Sequence, residues 1–464
     1  MSRRAIKPVC ILALMLLLAV SHAFAQQLAT LNVTVNDQSG AGVPGANITL
    51  KNKDTAASRT ATTGEGGLAV VAGLPAGLYD LTAEHAGLSP RTLPVQLAVG
   101  QVATLTVSLT ITARAEKVEV TETVQGVDPE KAEVSQVIDT PKIQDLPISG
   151  RDFIDFVLLT PSVNVGRSTA VGAQSPFTET VLKLSFAGVR ESHTSFFSLD
   201  GIDYTTSISG VQRISPSQDW VQEFRVVPSP YSGDNGRNLG SVVNTVTKSG
   251  TNDVHGSVYE FFRNNNLDAK NLLSAPGFNT LRFNQFGATV GGPIRKDKIF
   301  FFGGYEGQRR AESPIYSSFI LNCTAGVNCF GPGTPSINTV KTLLGLGTEN
   351  LGSIVTVQDY DKLIVKTNIV LSDKTFINEA YLFNDSRKKN VRGAAPGEGL
   401  PSSYRDNPVR DQTLYGSLIH LFSPKLTSET LLQYGRRKFD LIPKGEGFEP
   451  ALSIPDLMSS GGFV

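Results

Sequence analysis

The chain has 464 residues with Lys+Arg and Asp+Glu equal at 42 each, and 5 His, 3 Cys and 1 Trp stand against 44 Gly and 24 Phe. Zero net charge gives no broad electrostatic footprint for nucleic acid, so no nucleic-acid partner is expected. The few His and Cys offer little material for a metal centre, no cofactor is expected, and the Gly and Phe content predicts many strands and turns.

Arg3, Arg4 and Lys7 precede an apolar run from Val9 to Val20 and then Ser21-His22-Ala23-Phe24-Ala25. This is the three-part pattern of a secretory signal peptide, with cleavage expected between Ala25 and Gln26. The run falls short of the roughly 20 apolar residues that span a bilayer. Cys10 lies inside it without the small residues that a lipoprotein site requires.

Residues 26–112 read as short strands between turns. Leu31 to Val35 alternates, Gly40 to Gly45 and Gly64 to Gly67 are turn clusters, and Gly77 to Ala83 and Val102 to Leu109 alternate again. Strands at such spacing predict a small antiparallel β-sandwich. Asp37-Gln38-Ser39-Gly40 leading to Val43-Pro44-Gly45-Ala46, with Leu74-Pro75-Ala76-Gly77-Leu78-Tyr79, resembles the carboxypeptidase regulatory-like family. That resemblance implies a transthyretin-like seven-stranded sandwich. The family is grouped with carbohydrate-binding-like folds, but no aromatic platform for a sugar is legible, so carbohydrate binding carries over from fold alone.

Residues 113–128 loosen into alternating charged and β-branched residues, Lys117-Val118-Glu119-Val120-Thr121 at their centre. Such a segment can add an edge strand to a partner's sheet, or serve as an ordinary linker strand.

Over residues 129–250 helices and strands alternate into a compact α/β unit. Thr140-Pro141 opens a short helix, with Thr140 expected as its cap and Pro141 at the first helical position. Gly150-Arg151-Asp152 leads into a second helix that places Phe153, Phe156 and Val157 on one face before Pro161. Leu182 to Val189 is strand-like. Asp200-Gly201 predicts a hairpin turn between Phe196–Leu199 and Ile202–Tyr204. Ser215-Pro216 is expected to start a helix running through Trp220 and Phe224, and Gly240 to Thr247 reads as a strand.

Several separated blocks in this stretch resemble the plug domain of TonB-dependent receptors, specifically the Oar-like group. They are Asp145-Leu146-Pro147-Ile148-Ser149-Gly150-Arg151-Asp152-Phe153, Leu199-Asp200-Gly201-Ile202-Asp203, Val221-Gln222-Glu223-Phe224-Arg225-Val226, and Thr247-Lys248-Ser249-Gly250-Thr251-Asn252. The resemblance implies that Lys117, Val118, Glu119, Val120 and Thr121 are a TonB box. It also implies an inner-membrane TonB-type partner, an outer-membrane location with the sandwich in the periplasm, and energised transport of a large ligand whose identity the residues do not encode. The rival class is an outer-membrane adhesion or structural surface protein. No Gly-x-Ser-x-Gly elbow, His-Glu-x-x-His or paired metal-ligand motif appears, so no enzymatic function is expected.

Residues 251–464 carry the weaker signals of membrane strands. Val258 to Phe262 is aromatic-rich, and Asn284 to Pro293 leads through a charged turn, Arg295 to Lys298, into Ile299 to Tyr305. Lys362 to Ile369 and Lys425 to Tyr434 place polar residues on largely alternate positions, the dyad of lipid-facing and lumen-facing side chains. Cys323 and Cys329, in the Gly/Asn/Pro-containing stretch Asn322 to Pro335, suit a small loop disulfide in an oxidising compartment, the alternative being two unpaired thiols. The expected fold is mainly β: a seven-stranded sandwich, an α/β plug and the first part of an antiparallel transmembrane barrel in contact with outer-membrane lipid. Too few residues follow Gly250 for the barrel of about 22 strands that the resemblance implies, given about 9–11 residues per membrane strand. The barrel is therefore expected to be C-terminally incomplete.

Overall fold

The computed structural model describes residues 28–111, 135–146, 148, 151–165, 184–190, 195–206, 212–228, 240–269, 280–313, 337–343, 345, 354–391, 398–399, 404–423, 426–444, 452–454 and 458–460. It divides into two compact units, Met1–Pro129 with Val370–Ile377 and Ser417–Leu432, and Glu130–Ile369 with Asn378–Gly416 and Gln433–Val464.

The N-terminal strands are β1 (Ala29–Asn36), β2 (Asn47–Asn52), β3 (Ser58–Thr62), β4 (Leu68–Leu74), β5 (Gly77–Glu84), the two-residue β6 (Leu88–Ser89), β7 (Arg91–Leu97), β8 (Val102–Ser108) and the two-residue β9 (Thr110–Ile111). Strict alternation decides which face is buried: in β1, Ala29, Leu31, Val33 and Val35 point inward while Thr30, Asn32 and Thr34 remain partly exposed. Two sheets result, of order β4-β1-β8 and β3-β2-β5-β7, which together make the expected seven-stranded sandwich. Their inner faces share one core that includes Leu31, Ile48, Leu81, Val95 and Val107. The sandwich departs from an all-antiparallel arrangement at one place, where β1 and β8 pair in parallel. β7 lies in the opposite sheet, so the turn after Leu97 carries the chain across the sandwich and returns it beside β1 in the same direction, a pairing open to strands not joined by a hairpin. Gly67 is required in the turn before β4, because its φ is +76° and a Cβ there would meet Val35 O at 2.3 Å.

The central segment begins with β10 (Gln136–Ile138) and α1 (Thr140–Asp145). Asp139, not Thr140, is the N-cap of α1, its carboxylate accepting from the Lys142 amide, and Thr140 and Pro141 form the first turn. Thr140 instead donates its hydroxyl to Gln222 O. The next helix, Phe153–Leu159, winds as a 3-10 helix capped by Asp152, and buries Phe153, Ile154, Phe156 and Val157. Strands β11 (Val163–Val165), β12 (Leu184–Phe186) and β13 (Val189–Arg190) form a small sheet, and β14 (Ser195–Leu199) turns at Asp200-Gly201 into β15 (Ile202–Asp203). Asp200 and Gly201 have φ of +46° and +86°, the left-handed pair of a tight hairpin turn.

The helix expected through Phe224 is absent. Only Gln218–Trp220 forms a 3-10 turn, and Val221–Val227 is β16. Tertiary pairing overrides the local reading: β16 lies between β10 and β17 (Ser241–Thr247) in a five-stranded sheet of order β10-β16-β17-β14-β15, where Val221, Phe224, Val226 and Val227 are buried.

The remaining strands are β18 (His255–Asn264), β19 (Leu281–Arg295), β20 (Ile299–Glu312), β21 (Thr356–Ser372), β22 (Thr375–Val391), the short β23 (Glu398–Gly399), β24 (Arg405–Ser423), β25 (Leu426–Phe439) and the short β26 (Ile442–Pro443), β27 (Leu452–Ile454) and β28 (Met458–Ser460), with α2 (Ile337–Leu343) between β20 and β21. The long ones form one wall of order β18-β19-β20-β21-β22-β24-β25. The expected hairpin is present, Arg295 pairing with Ile299 across the turn Lys296-Asp297-Lys298. Pro293 lies beyond the last β18 pair, His255 with Gly291, where no ladder bond to β18 is needed.

Leu81, fully buried in the sandwich, supplies a test of this core. Leu81→Ala is expected to lower stability by about 2–5 kcal/mol, read as a fall in the denaturant midpoint of the sandwich transition at unchanged slope.

Candidate functional site: a polar interface between the central segment and the strand wall

The wall is built inside out compared with a soluble sheet. On β21 the inward set is Gln358, Tyr360, Lys362, Ile364 and Lys366, all buried, whereas Val365 on the other face is 47% exposed. β24 repeats this, with Arg405, Asn407, Asp411, Thr413 and Tyr415 buried and Leu414 and Leu418 exposed. An apolar outer face beside a polar inner one is the pattern of a strand with lipid on one side. For Lys362, Lys366, Asp411 and Tyr415 the central segment supplies partners.

Three buried carboxylates organise the contact. Asp200, at the hairpin turn, accepts from the Thr247 amide at 2.8 Å, from the Thr247 hydroxyl at 2.5 Å, from Lys366 Nζ at 3.1 Å and from the Tyr415 hydroxyl. Lys366 also donates to Thr247 O at 3.1 Å, so one ammonium from β21 and one hydroxyl from β24 hold both the hairpin tip and the end of β17. Asp411 on β24 receives Arg213 in a two-pronged contact, Nε at 3.2 Å and Nη2 at 2.8 Å, and Arg437 Nε approaches it at 3.9 Å. Glu306 on β20 accepts from Ser217 Oγ at 2.7 Å, Tyr259 OH at 2.9 Å and Gln285 Nε2 at 3.0 Å. Lys362 lies 3.9 Å from Glu306 and donates to Ser215 O at 2.8 Å.

A fourth contact is more exposed. Arg151 bridges Asp219 at 2.5 Å and stacks 4.0 Å over the Phe261 ring of β18. Its φ is +53°, which a non-glycine residue adopts only when its surroundings hold it there. Between the polar contacts lies an apolar cluster in which Leu199, Ile202, Tyr204, Ile214 and Trp220 of the central segment meet Phe302, Ile364, Ala380, Leu382 and Tyr415 of the wall. The segment that leaves β17 is clamped as well: Asn252 donates to the Asp297 carboxylate and accepts from the Asp297 amide, each at 2.8 Å, at the β19–β20 turn.

In the sequence Asp200 stands out as a turn residue and as part of a plug-like block, whereas Arg213, Glu306 and Asp411 carry no mark. Lys362 and Lys366 were visible as members of a polar alternation. What could have marked them is their spacing of four on a strand whose opposite face is apolar. The residues that the sequence did nominate lie outside the described residues: the cleavage pair Ala25 and Gln26, the TonB-box candidate Lys117, Val118, Glu119, Val120 and Thr121, and the pair Cys323 and Cys329.

Two expectations follow. Lys366→Met leaves Asp200 buried without its ammonium and should cost about 3–5 kcal/mol, whereas removing the exposed partner in the Lys438–Asp440 pair should cost about 1 kcal/mol or less; paired unfolding curves measure both. Within the 3-10 helix, burial, with Asp152 close by, raises the Asp155 carboxyl to about 7. Its folded value lies above the unfolded one of about 3.9, so its contribution is fully present below that unfolded value and is lost as pH rises through about 7. Asp155→Asn should therefore raise the melting temperature relative to the unsubstituted chain above neutrality and lose that advantage in acid.

Comparison with known proteins agrees with this architecture. Residues 30–110 match the carboxypeptidase regulatory-like domain and residues 246–326 match the outer membrane beta barrel domain. The chain is 27% identical over 308 residues to the TonB-dependent transporter Oar of Myxococcus xanthus, covering 62% of this chain and 27% of that protein. It thus spans about a quarter of that relative's length. Among solved structures it is similar to the ferric enterobactin receptor of Pseudomonas aeruginosa, with a TM-score of 0.46 and 13% identity over 66% of this chain and 40% of that one. The outer membrane transporter YddB of Escherichia coli gives 0.44 and 13% over 65% and 38%. The chain is thus similar to the TonB-dependent transporter Oar, and it carries a match to a carboxypeptidase regulatory-like domain ahead of a match to an outer membrane beta barrel domain.

Proposed function

We propose that this chain belongs to a TonB-dependent outer-membrane transporter that moves an unidentified large ligand. Residues 129–250 are its plug, residues 113–128 carry the TonB box, and the sandwich of residues 26–112 stands in the periplasm. The observation that carries the reading is the inside-out wall, whose buried Lys362, Lys366 and Asp411 find their partners in a segment with a core of its own. A wall lined with water would leave those side chains solvated. Here they hold a stopper in the lumen.

The outer membrane has no nucleotide to drive movement of that stopper. Work must arrive from an inner-membrane TonB-type protein gripping an extended segment, and Lys117-Val118-Glu119-Val120-Thr121 has the alternation for strand addition. Val118→Pro or Val120→Pro removes a ladder donor from that strand. Each is expected to weaken capture of a TonB periplasmic domain by tenfold or more, about 1.4 kcal/mol, while leaving export to the outer membrane intact. Unchanged capture in a pull-down titration would remove the assignment. Export through an oxidising compartment also sets the state of Cys323 and Cys329. A thiol assay on the denatured, unreduced mature protein should find almost no free thiol, and two reactive thiols would overturn the pairing.

A further inference from the structure

The chain's single tryptophan, Trp220, has a role that the transport reading does not assign. It closes the 3-10 turn Gln218–Trp220, is 2% exposed, and is the largest fully buried side chain. Its indole N–H is buried and finds no acceptor among the described residues. A donor without a partner costs free energy, so hydrogen bonding is not what puts the ring there. The reason is shape. A Cβ built on Gly304 of β20 would lie 2.3 Å from Trp220 Nε1 and 2.7 Å from Cδ1, so the ring lies flat against a strand with no side chain at that position.

The same short turn meets the same strand a second time. Ser217, the cap of the turn, donates to Glu306, two residues beyond Gly304 and therefore on the same face of β20. Asp219, between the two contacts, is held by Arg151. The turn is anchored behind the interface as well, since Gln218 donates to Ile143 O at 2.5 Å and Lys248 N donates to Trp220 O at 2.7 Å. A slot beside a carboxylate on the wall thus faces a ring beside a hydroxyl on the plug. A shift of the plug by two residues along β20, the repeat of one face, would drive Trp220 into the side chain of Phe302 or Glu306.

We propose that Ser217–Trp220 and the Gly304-x-Glu306 face of β20 form the seat that sets the position of the plug in the lumen. Trp220 is the positioning residue, and Gly304 is the vacancy that admits it. The seat rests on the reading of residues 129–250 as a plug. It is independent of what is transported and of the TonB box, so its failure and theirs are read in different experiments.

The single tryptophan makes the test direct. The purified chain, reconstituted in outer-membrane lipid vesicles, is read by its emission maximum and by acrylamide quenching. The unsubstituted chain should emit in the blue and resist quenching. Gly304→Ala and, more strongly, Gly304→Leu should shift emission to the red and raise quenching several-fold. Gly303→Leu is the control, because a Cβ at Gly303 has no heavy atom nearer than 3.9 Å; it should match the unsubstituted chain. For the size swap Trp220→Ala with Gly304→Leu, which lacks the reporter, the readout is tryptic cleavage after Lys248: open in Gly304→Leu and closed again in the swap. Emission and quenching unchanged in both Gly304 variants, an equal change in Gly303→Leu, or no restored protection in the swap would each overturn the seat.

Discussion

A buried polar group on the inner face of a wall whose outer face is apolar must be satisfied from within, and the second unit of this protein is organised around that demand. Lys362, Lys366 and Asp411 point inward, whereas Val365, next to Lys366, and Leu414, three residues beyond Asp411, face the other side. Removing two ions from water is costly, and their mutual attraction offsets the cost only where further hydrogen bonds complete both shells. Asp200 meets this condition with the Thr247 amide and hydroxyl, Lys366 and Tyr415.

The division of labour between polar and apolar contacts follows from the same physics. Carboxylate hubs are directional and fail when the partner shifts by an ångström or two. The apolar cluster around Trp220, Phe302, Ile364 and Leu382 is non-directional and excludes water from the hubs beside it. An interface made only of the cluster would bind without register, and one made only of hubs would be weakened by water. Combined, they fix the central segment against the wall.

Much of the fold was legible in the residues. The sandwich strands announced themselves by alternation, as did the hairpin β19–β20, because a strand with one buried face writes its period into the chain. Asp200-Gly201 was readable as a turn because few residue pairs tolerate left-handed backbone twice in succession. The segment Val221–Val227 was misread as a helix continuing from Ser215-Pro216. One of its neighbours, β10, is distant in sequence, and a central strand buried on both faces shows no period of two. The cap of α1 was misplaced by one residue, since Asp139 and Thr140 are both competent caps and only the backbone geometry separates them.

The sequence by itself determined the mainly β character and the sandwich strands, because these depend on composition and short-range periodicity. It also placed lysines at intervals of four on a membrane strand. Only the tertiary structure decided that Lys366 meets Asp200, that Arg213 meets Asp411, and that Trp220 occupies the space left by Gly304. These pairs are separated by up to 198 positions in the chain. Nothing local distinguishes an arginine that will be buried against an aspartate from one left in water; the choice is made when the strand wall and the central segment exclude solvent between them.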